Sequence, residues 1–192
     1  MKGTGFRLNG TGPTVLLRHR LVTTPIEIAV VPNAAGTGFA LPLPNDAEAQ
    51  TTFVPGLWEL SMRVKPPGEA NPRETNAIAL PIAPAPVIAA DAPLGLPAAG
   101  VTRGGVPQVV TVTLHARPQV RLGQRVTLAL DSGTAEAATR AAAGDPLVFV
   151  FPGTVPSGNR WVRLRVEGVD SPLVMRNGPA PVFDPTQSIA VP

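Results

Sequence analysis

The feature that most constrains this chain is a strictly alternating stretch within residues 155–173. The aliphatic residues Val162, Leu164 and Val166 alternate there with three charged residues. A period of two is typical of a β-strand with one buried face, because successive side chains of a strand point to opposite sides. The turn residues 156–159 precede the stretch and are expected to reverse the chain in a hairpin, and Gly168 follows the stretch. The pattern therefore predicts a half-buried strand with a charged outer face.

A second copy of this phrase occurs about a hundred residues earlier. Aligning Gly56 with Gly158 superposes the following residues of the two copies: Leu60 on Val162, Met62 on Leu164, Arg63 on Arg165 and Val64 on Val166. The Pro-Ala-Pro-Val phrase of residues 83–87 also returns at 178–182. Two matches in the same order predict a duplicated unit and therefore two similar β modules in tandem.

The two tryptophans of the chain are not aligned with each other in this repeat. Trp58 and Trp161 miss each other by one position. In a strand, one position changes the face on which a side chain lies.

The overall composition favours short strands and rigid turns. The chain of 192 residues contains 24 prolines and 19 glycines, and 44% of its residues are hydrophobic. Such a chain can bury a core, which argues against disorder. We predict an all-β fold of two tandem immunoglobulin-like β-sandwich domains, spanning 1–84 and 108–192 and joined by a linker and first-strand region at 85–107. Residues 83–88 are predicted to form a stiff polyproline linker.

Alternating patterns predict the other strands. In the first module they are at Phe6–Leu8, Val15–Leu17, Ile26–Val31 and Asn76–Ile82, the last with Ile78, Leu80 and Ile82 inward. In the second module the inward residues are Val110, Val112, Leu114, Val126, Leu128, Leu130, Leu147, Phe149 and Phe151. Residues 135–143 are the only helix-like stretch and, being short, are expected to form a loop or one or two helical turns. Residues 179–192 are expected to form an extended tail.

Charge and cysteine usage exclude several classes of function. Residues 1–90 carry 7 basic and 6 acidic groups, and residues 91–192 carry 9 and 7, so no clustered charge indicates nucleic-acid binding. Cysteine is absent, which excludes disulfide and thiol chemistry. The first residues lack the apolar core of a signal peptide, and the long uncharged run at 75–90 is interrupted by prolines and cannot form a membrane helix. We therefore expect a cytoplasmic protein that neither inserts into a membrane nor binds nucleic acid.

Residues with catalytic or ligand-binding chemistry are scattered. His19 and His115 are the two histidines, and each is compatible with a general base or with an ordinary strand surface. The acids Asp46 with Glu48, and Asp131 with Glu136, could form carboxylate pairs or lie as solvated acids in loops. Ser157 fits turn chemistry rather than a nucleophile elbow. No catalytic residue, cofactor or metal site is predicted, and the chain is not expected to be an enzyme.

The best candidate for a functional surface is the outer side of the strand at 158–166. Trp161, Arg163 and Arg165 share that side. Tryptophan and arginine are enriched at interaction hot spots, and a guanidinium can stack on an indole ring. These residues are compatible with a partner-contact patch or with a plain solvated strand face.

The second module also resembles a known family. Its phrases 110–114, 118–120, 122–126 and 128–130, Gly158 and residues 162–173 are similar to the C-terminal part of the tail-terminator (cap) proteins of phage-tail-like contractile injection systems. The first module, with residues 6–10, 55–56 and 75–77, resembles the immunoglobulin-like (IPT/TIG-type) unit that precedes it there. In that family an N-terminal α/β domain caps the tail tube and sheath, and nothing in this chain resembles it. The chain would then be part of a longer protein or a relative reduced to accessory modules.

The resemblance implies a structural function. It implies a non-catalytic module assembled into a phage-tail-like particle, with other tail or particle proteins as partners and possible self-association in a ring. The alternative is a β-sandwich module that binds carbohydrate or a cell surface. The presence of two tryptophans and no tyrosine disfavours this alternative, because carbohydrate sites usually expose several aromatic rings.

Overall fold

The described part of the protein is nearly all β-structure. The computed structural model describes residues 13–33, 38–44, 46–66, 68–131, 133–152, 155–176 and 178–192. These residues form sixteen strands, one six-residue α-helix and two three-residue 3-10 helices. The all-β fold class and the low helix content predicted from the alternating patterns are confirmed.

The chain divides into two compact units that are not simple halves. The first unit comprises Met1–Pro44 and Leu57–Pro81, and the second comprises Asn45–Gly56 and Ile82–Pro192. Residues 45–56 therefore belong with the later part of the chain, although the tandem interpretation assigned them to the first module.

The first unit is built on one antiparallel sheet. Its strands are β1 (Thr14–His19), β2 (Val22–Ala29), β3 (Gly56–Val64), β4 (Arg73–Glu74) and β5 (Ile78–Ile82). They are arranged in the order β2-β1-β3-β4, with β5 also paired to β3. Only this five-stranded sheet is found among the described residues of the unit, and Phe6 and Leu8 lie outside them. The count of two immunoglobulin-like sandwiches thus stays a prediction.

Strand β1 lies at the centre of this sheet. Val15, Leu16 and Leu17 are all fully buried, so both faces of the strand are covered. Trp58 on β3 is also fully buried, and its ring lies against His19 with centroids 5.0 Å apart. The alternating phase predicted for β2 is approximately right, because Ile26 and Ile28 are half-buried while Glu27 is exposed.

The second unit contains most of the regular structure. Its elements are α1 (Ala47–Thr52), β6 (Ala85–Val87), η1 (Ala92–Leu94), β7 (Gly100–Gly104), β8 (Val109–Arg117), β9 (Val126–Leu130), β10 (Gly133–Glu136), β11 (Leu147–Pro152), β12 (Gly158–Val166), β13 (Val169–Asp170), β14 (Val174–Met175), β15 (Val182–Phe183), η2 (Pro185–Gln187) and β16 (Ser188–Val191).

Two sheets of this unit pack on a common core. One has the order β10-β9-β12-β13 with β16 also paired to β12, and the other has the order β11-β8-β6 with β7 also paired to β8. Both sheets contribute inward side chains to one buried cluster, in which Val112, Phe149, Leu128, Val162 and Leu164 are fully buried. This arrangement is a β-sandwich, and its inward residues include all those that the alternation predicted for the second module.

The region expected to be a linker is part of the sandwich. Residues 85–87 form β6, which pairs with β8 so that Val87 lies opposite His115. Residues 100–104 form β7, which also pairs with β8. The prediction of a polyproline linker at 83–88 is therefore wrong, while the prediction of a first strand within 85–107 is right. Pro86 is compatible with β6 because this short strand lies at the end of the sheet order, where a missing N–H is tolerated.

The helix-like stretch at 135–143 forms no helix, in agreement with the loop alternative, except that its first residues are in a strand. Residues 133–136 form strand β10, and Ala137 makes a β-bridge to Phe149, so the alanine-rich stretch begins as sheet. The α-helix lies instead at α1, where the Asp46 carboxylate accepts a hydrogen bond from the Ala49 N–H at 2.8 Å. Asp46 is thus an N-cap rather than one of a catalytic pair.

Three further expectations differ from the structure. Ile78 was expected to face inward but is 64% exposed. The tail is more than extended chain, since β16 pairs with the first half of β12. Residues 156–159 were expected to reverse the chain in a hairpin, but β11 and β12 lie in different sheets, so the segment carries the chain across the sandwich.

The local repeat has a clear structural counterpart. Gly56 and Gly158 each begin a nine-residue strand, and both have positive φ angles, 134° and 100°. A positive φ is readily adopted by glycine, which explains its presence at both positions. The other repeated phrase, at 83–87 and 178–182, has no such structural equivalence. Its first copy contains β6, which pairs with β8, whereas its second copy leads into β15, which pairs with β14.

Candidate interaction surface

The outer face of β12 carries the three residues singled out by the sequence. Val162, Leu164 and Val166 on the inner face are completely buried, while Arg163 and Arg165 are exposed and Trp161 is half-buried. The backbone of Leu164 is held by Ser171, whose N–H donates to the Leu164 carbonyl at 2.7 Å and whose hydroxyl accepts from the Leu164 N–H at 3.0 Å. The outer side chains therefore project from a firmly anchored strand.

Arg165 is engaged with a carboxylate of the same sheet. Its Nε lies 2.6 Å from Asp170 Oδ1, and a terminal nitrogen lies 3.0 Å from Oδ2. These hydrogen bonds lower the pKa of Asp170 and raise that of Arg165. A two-point ion pair of this kind leaves Arg165 less available to a partner than the sequence suggested.

Trp161 is covered by a ring that sequence analysis did not identify. The Phe183 ring lies against the indole of Trp161, with centroids 5.2 Å apart and planes inclined by 34°. Phe183 is 56% exposed and its neighbour Val182 is 53% exposed. The pairing of β15 with β14 accompanies the placement of Phe183 against Trp161, more than twenty positions away along the chain, and no local pattern marks this residue.

Arg163 is the available cation of this face. Within the described residues its guanidinium has no hydrogen bond or ion pair. Its cross-strand neighbour on β9 is Ala129, whose small side chain does not cover it. We name the set Trp161, Arg163 and Phe183 the β12 patch. It combines two aromatic rings with an exposed guanidinium.

Both histidines are at least partly buried by neighbouring residues. His19 is 8% exposed, packs on Trp58, and accepts a hydrogen bond at Nδ1 from the Leu21 N–H at 3.2 Å. The interpretation of His19 as an exposed strand residue is therefore wrong. His115 is half-buried on β8, and burial lowers its pKa.

The candidate carboxylate pairs are not assembled as pairs. Asp131 binds Arg160 at 3.0 Å, and Glu136 binds Arg125 at 2.6 Å. Each acid thus has its own guanidinium partner. The Ser157 hydroxyl donates to the Pro192 carbonyl at 2.9 Å, which is a structural role.

Neither a metal-binding cluster nor a membrane-spanning helix is found among the described residues. No group of three or more histidine, aspartate or glutamate side chains there is arranged to hold a metal ion. In the same ranges, no helix has both the length and the apolar character needed to cross a bilayer.

The fold and the β12 patch define an all-β protein with an exposed aromatic and cationic surface. A family described as a domain of unknown function (DUF8756) matches residues 86–191. This match covers more than half of the chain, so the chain belongs to that family. The matched span begins within β6, ends within β16 and contains Trp161, Arg163 and Phe183. No curated protein and no solved structure matches the chain.

Proposed function

We propose that this protein is a non-catalytic structural and interaction module of a phage-tail-like contractile injection system, corresponding to the accessory C-terminal part of a tail-terminator or cap protein. It acts by docking on other tail or particle proteins within a cytoplasmic assembly. The observation that carries the docking function is the β12 patch, where the exposed Phe183 packs on Trp161 and the exposed Arg163 lies two residues further along the same strand face.

The packing and pairing of β12, which carries Trp161 and Arg163, support docking. The inner residues of β12 belong to the buried core, and both edges of the strand are paired, one with β9 and the other with β13 and β16. Rigid side chains lose less conformational entropy on binding than mobile ones do. A partner can therefore bind this surface without first having to order it.

The chemistry of the patch indicates what the partner must present. Trp161 and Phe183 offer apolar contact, and the exposed Arg163 offers positive charge on the same strand face as Trp161. A complementary surface has an aliphatic or aromatic side chain beside a carboxylate. The link to contractile injection systems rests on the resemblance of residues 110–173 to the tail-terminator family.

The test is binding to purified tube, sheath and terminator proteins of such a particle. The double variant Trp161→Ala, Arg163→Ala should fold but lose at least about tenfold in affinity, as expected for the removal of two central contacts. Arg125→Ala is a matched control, because Arg125 is an exposed arginine whose charge is taken by Glu136. The control should bind like the wild type.

Other outcomes would remove parts of the proposal. Unchanged binding of the double variant would exclude the β12 patch, and no binding to any tail protein would contradict the particle function. Reproducible turnover of a substrate by the purified protein would contradict the non-catalytic part. Light scattering in the same series would show whether the protein forms rings with itself.

The second candidate is a module that binds carbohydrate or a cell surface. It is favoured by the exposed ring of Phe183 on Trp161, since the C–H face of a sugar ring packs on exposed aromatic rings. Screening the wild type and Phe183→Ala on a glycan array separates the two functions. Glycan binding that requires Phe183, without affinity for tail proteins, would favour this second candidate.

A further inference from the structure

A separate cleft lies within the second unit, away from the residues of the β12 patch in the sequence. It has a volume of about 190 Å³ and is partly open. Residues from α1, from the η1 turn, from the end of β8 and from residues 140–147 line it. At roughly 30 Å³ for each water molecule, the cleft has room for about six waters. This is the size of one amino-acid side chain rather than of a large cofactor.

The cleft has both an apolar wall and polar side chains. Leu94, Leu96 and Leu147 contribute the apolar lining. His115 and Gln119 also line it and are half-buried, and within the described residues neither side chain has a hydrogen-bond partner. Half-buried polar groups of this kind are normally satisfied by water or by a ligand.

The two charged side chains at the cleft, Arg140 and Asp145, already form hydrogen bonds with backbone groups. Arg140 donates to the carbonyls of Val120 and Arg121 at 3.2 Å each, and to the carbonyl of Ala143 at 2.8 Å. The Asp145 carboxylate accepts from the N–H groups of Ala141 and Ala142 at 3.1 and 2.7 Å. Both charges therefore hold the surrounding loops in place.

The remaining polar groups are neutral and carry donors and acceptors. Burial lowers the pKa of His115, which keeps its imidazole uncharged near neutral pH, with one nitrogen as donor and one as acceptor. The carboxamide of Gln119 likewise offers both functions. A complementary ligand must itself be neutral and able to both donate and accept.

We propose that this cleft binds a neutral side chain of a partner polypeptide that ends in an amide or a phenol and has an apolar stem. The stem contacts the three leucines, and the polar end bonds to His115 and Gln119. This inference does not rest on the proposed function, because it concerns different residues and a different kind of contact.

The wild-type protein can be tested directly with capped amino acids. N-acetyl amides of glutamine and tyrosine are titrated while the side-chain NMR signals of His115 and Gln119 are observed. Both probes should shift these signals. The N-acetyl amide of phenylalanine should bind about tenfold more weakly, the difference expected for one lost hydrogen bond. The amides of glutamate and lysine should bind weakest, because the cleft offers no free charge.

Two variants alter the cleft and one variant is the control. Gln119→Met keeps the length of the side chain but removes its hydrogen bonds, and should weaken the glutamine probe by about tenfold. Gly144→Ala adds a Cβ 3.2 Å from the Gln119 amide nitrogen and so crowds the ligand end. Trp161→Ala should leave all probes unaffected.

Several results would overturn the inference. These are no shift with any probe, equal affinity for the tyrosine and phenylalanine probes, tightest binding by a charged probe, or a shift produced by glucose alone. The wild-type series decides these points even if a variant fails to fold.

Discussion

Leu164 and Arg163 are neighbours in sequence but lie in opposite environments. Leu164 is completely buried in the cluster between the two sheets, and Arg163 is exposed on the outer face. The single-residue step between them accounts for the whole difference, because successive strand residues face opposite sides. The same rule separates Trp58 from Trp161. Their offset of one position in the repeat puts Trp58 in a core and Trp161 on a surface.

Replacement of these two neighbours should have very different effects on stability. Leu164→Ala removes a buried side chain and leaves a cavity, which should lower the free energy of unfolding by about 2–5 kcal/mol. Arg163→Ala should change it by about 0.5 kcal/mol or less. Denaturant unfolding measures both values. Similar losses for the two variants would show that the inward and outward faces of β12 have been exchanged.

Glu74 should make the first unit sensitive to acid. Its carboxylate accepts hydrogen bonds from Arg18 and from Ser61, each at 2.6 Å. These bonds lower the pKa of Glu74 from 4.5 to about 2. Because the pKa is lowered in the folded state, the stabilisation is complete above about pH 4.5 and is lost as the pH falls through about 2.

The variant Glu74→Gln tests this linkage. Between about pH 5 and pH 2 the free energy of unfolding should decrease less in Glu74→Gln than in the wild type. Glu48→Gln, which changes an exposed acid of α1, should follow the wild-type curve. Parallel curves for the wild type and Glu74→Gln would contradict the proposed role of Glu74.

At the scale of elements, short strands complete the sandwich. Strand β6 has three residues and β16 has four, yet each pairs with a central strand of its sheet. Local sequence does not distinguish such strands from extended linkers, because proline-rich segments are extended in either case. Whether such a segment is a strand or a linker depends on the strand with which it pairs, and that strand is distant in sequence.

Val87 tests whether β6 is a packed strand rather than an exposed linker. It is 5% exposed, so Val87→Ala should cost about 1.5 kcal/mol through the loss of two buried methyl groups. Val150→Ala on β11 of the same sheet is the matched control, since Val150 is 50% exposed and should tolerate the change. An effect of Val87→Ala no larger than that of the control would restore the linker interpretation.

For the whole molecule, the boundaries of a folding fragment follow from strand pairing. A fragment of residues 108–192 lacks β6 and β7, both of which pair with β8. It should therefore expose backbone groups of β8 and lack a cooperative transition. A fragment of 82–192 retains both strands and should unfold cooperatively in thermal denaturation. Equal stability of the two fragments would show that β6 and β7 are dispensable.

The sequence by itself determined the strand class and the inward faces of the second unit. Val110, Leu128, Phe149 and Leu164 could be assigned to the core because alternation is a local property, visible without knowledge of the neighbours. The position of Trp161 and Arg163 on the outer face followed from the same rule.

Only the tertiary structure decided which strands are neighbours and which side chains meet across them. Backbone hydrogen bonds are chemically alike along the chain, so alternation shows which face is buried but not which strand lies beside it. For this reason Phe183 on Trp161, Asp170 on Arg165 and the cleft between His115 and Gln119 could not be predicted. Each depends on contacts between segments that chain folding brings together, and their residues carry no local pattern that identifies their partners.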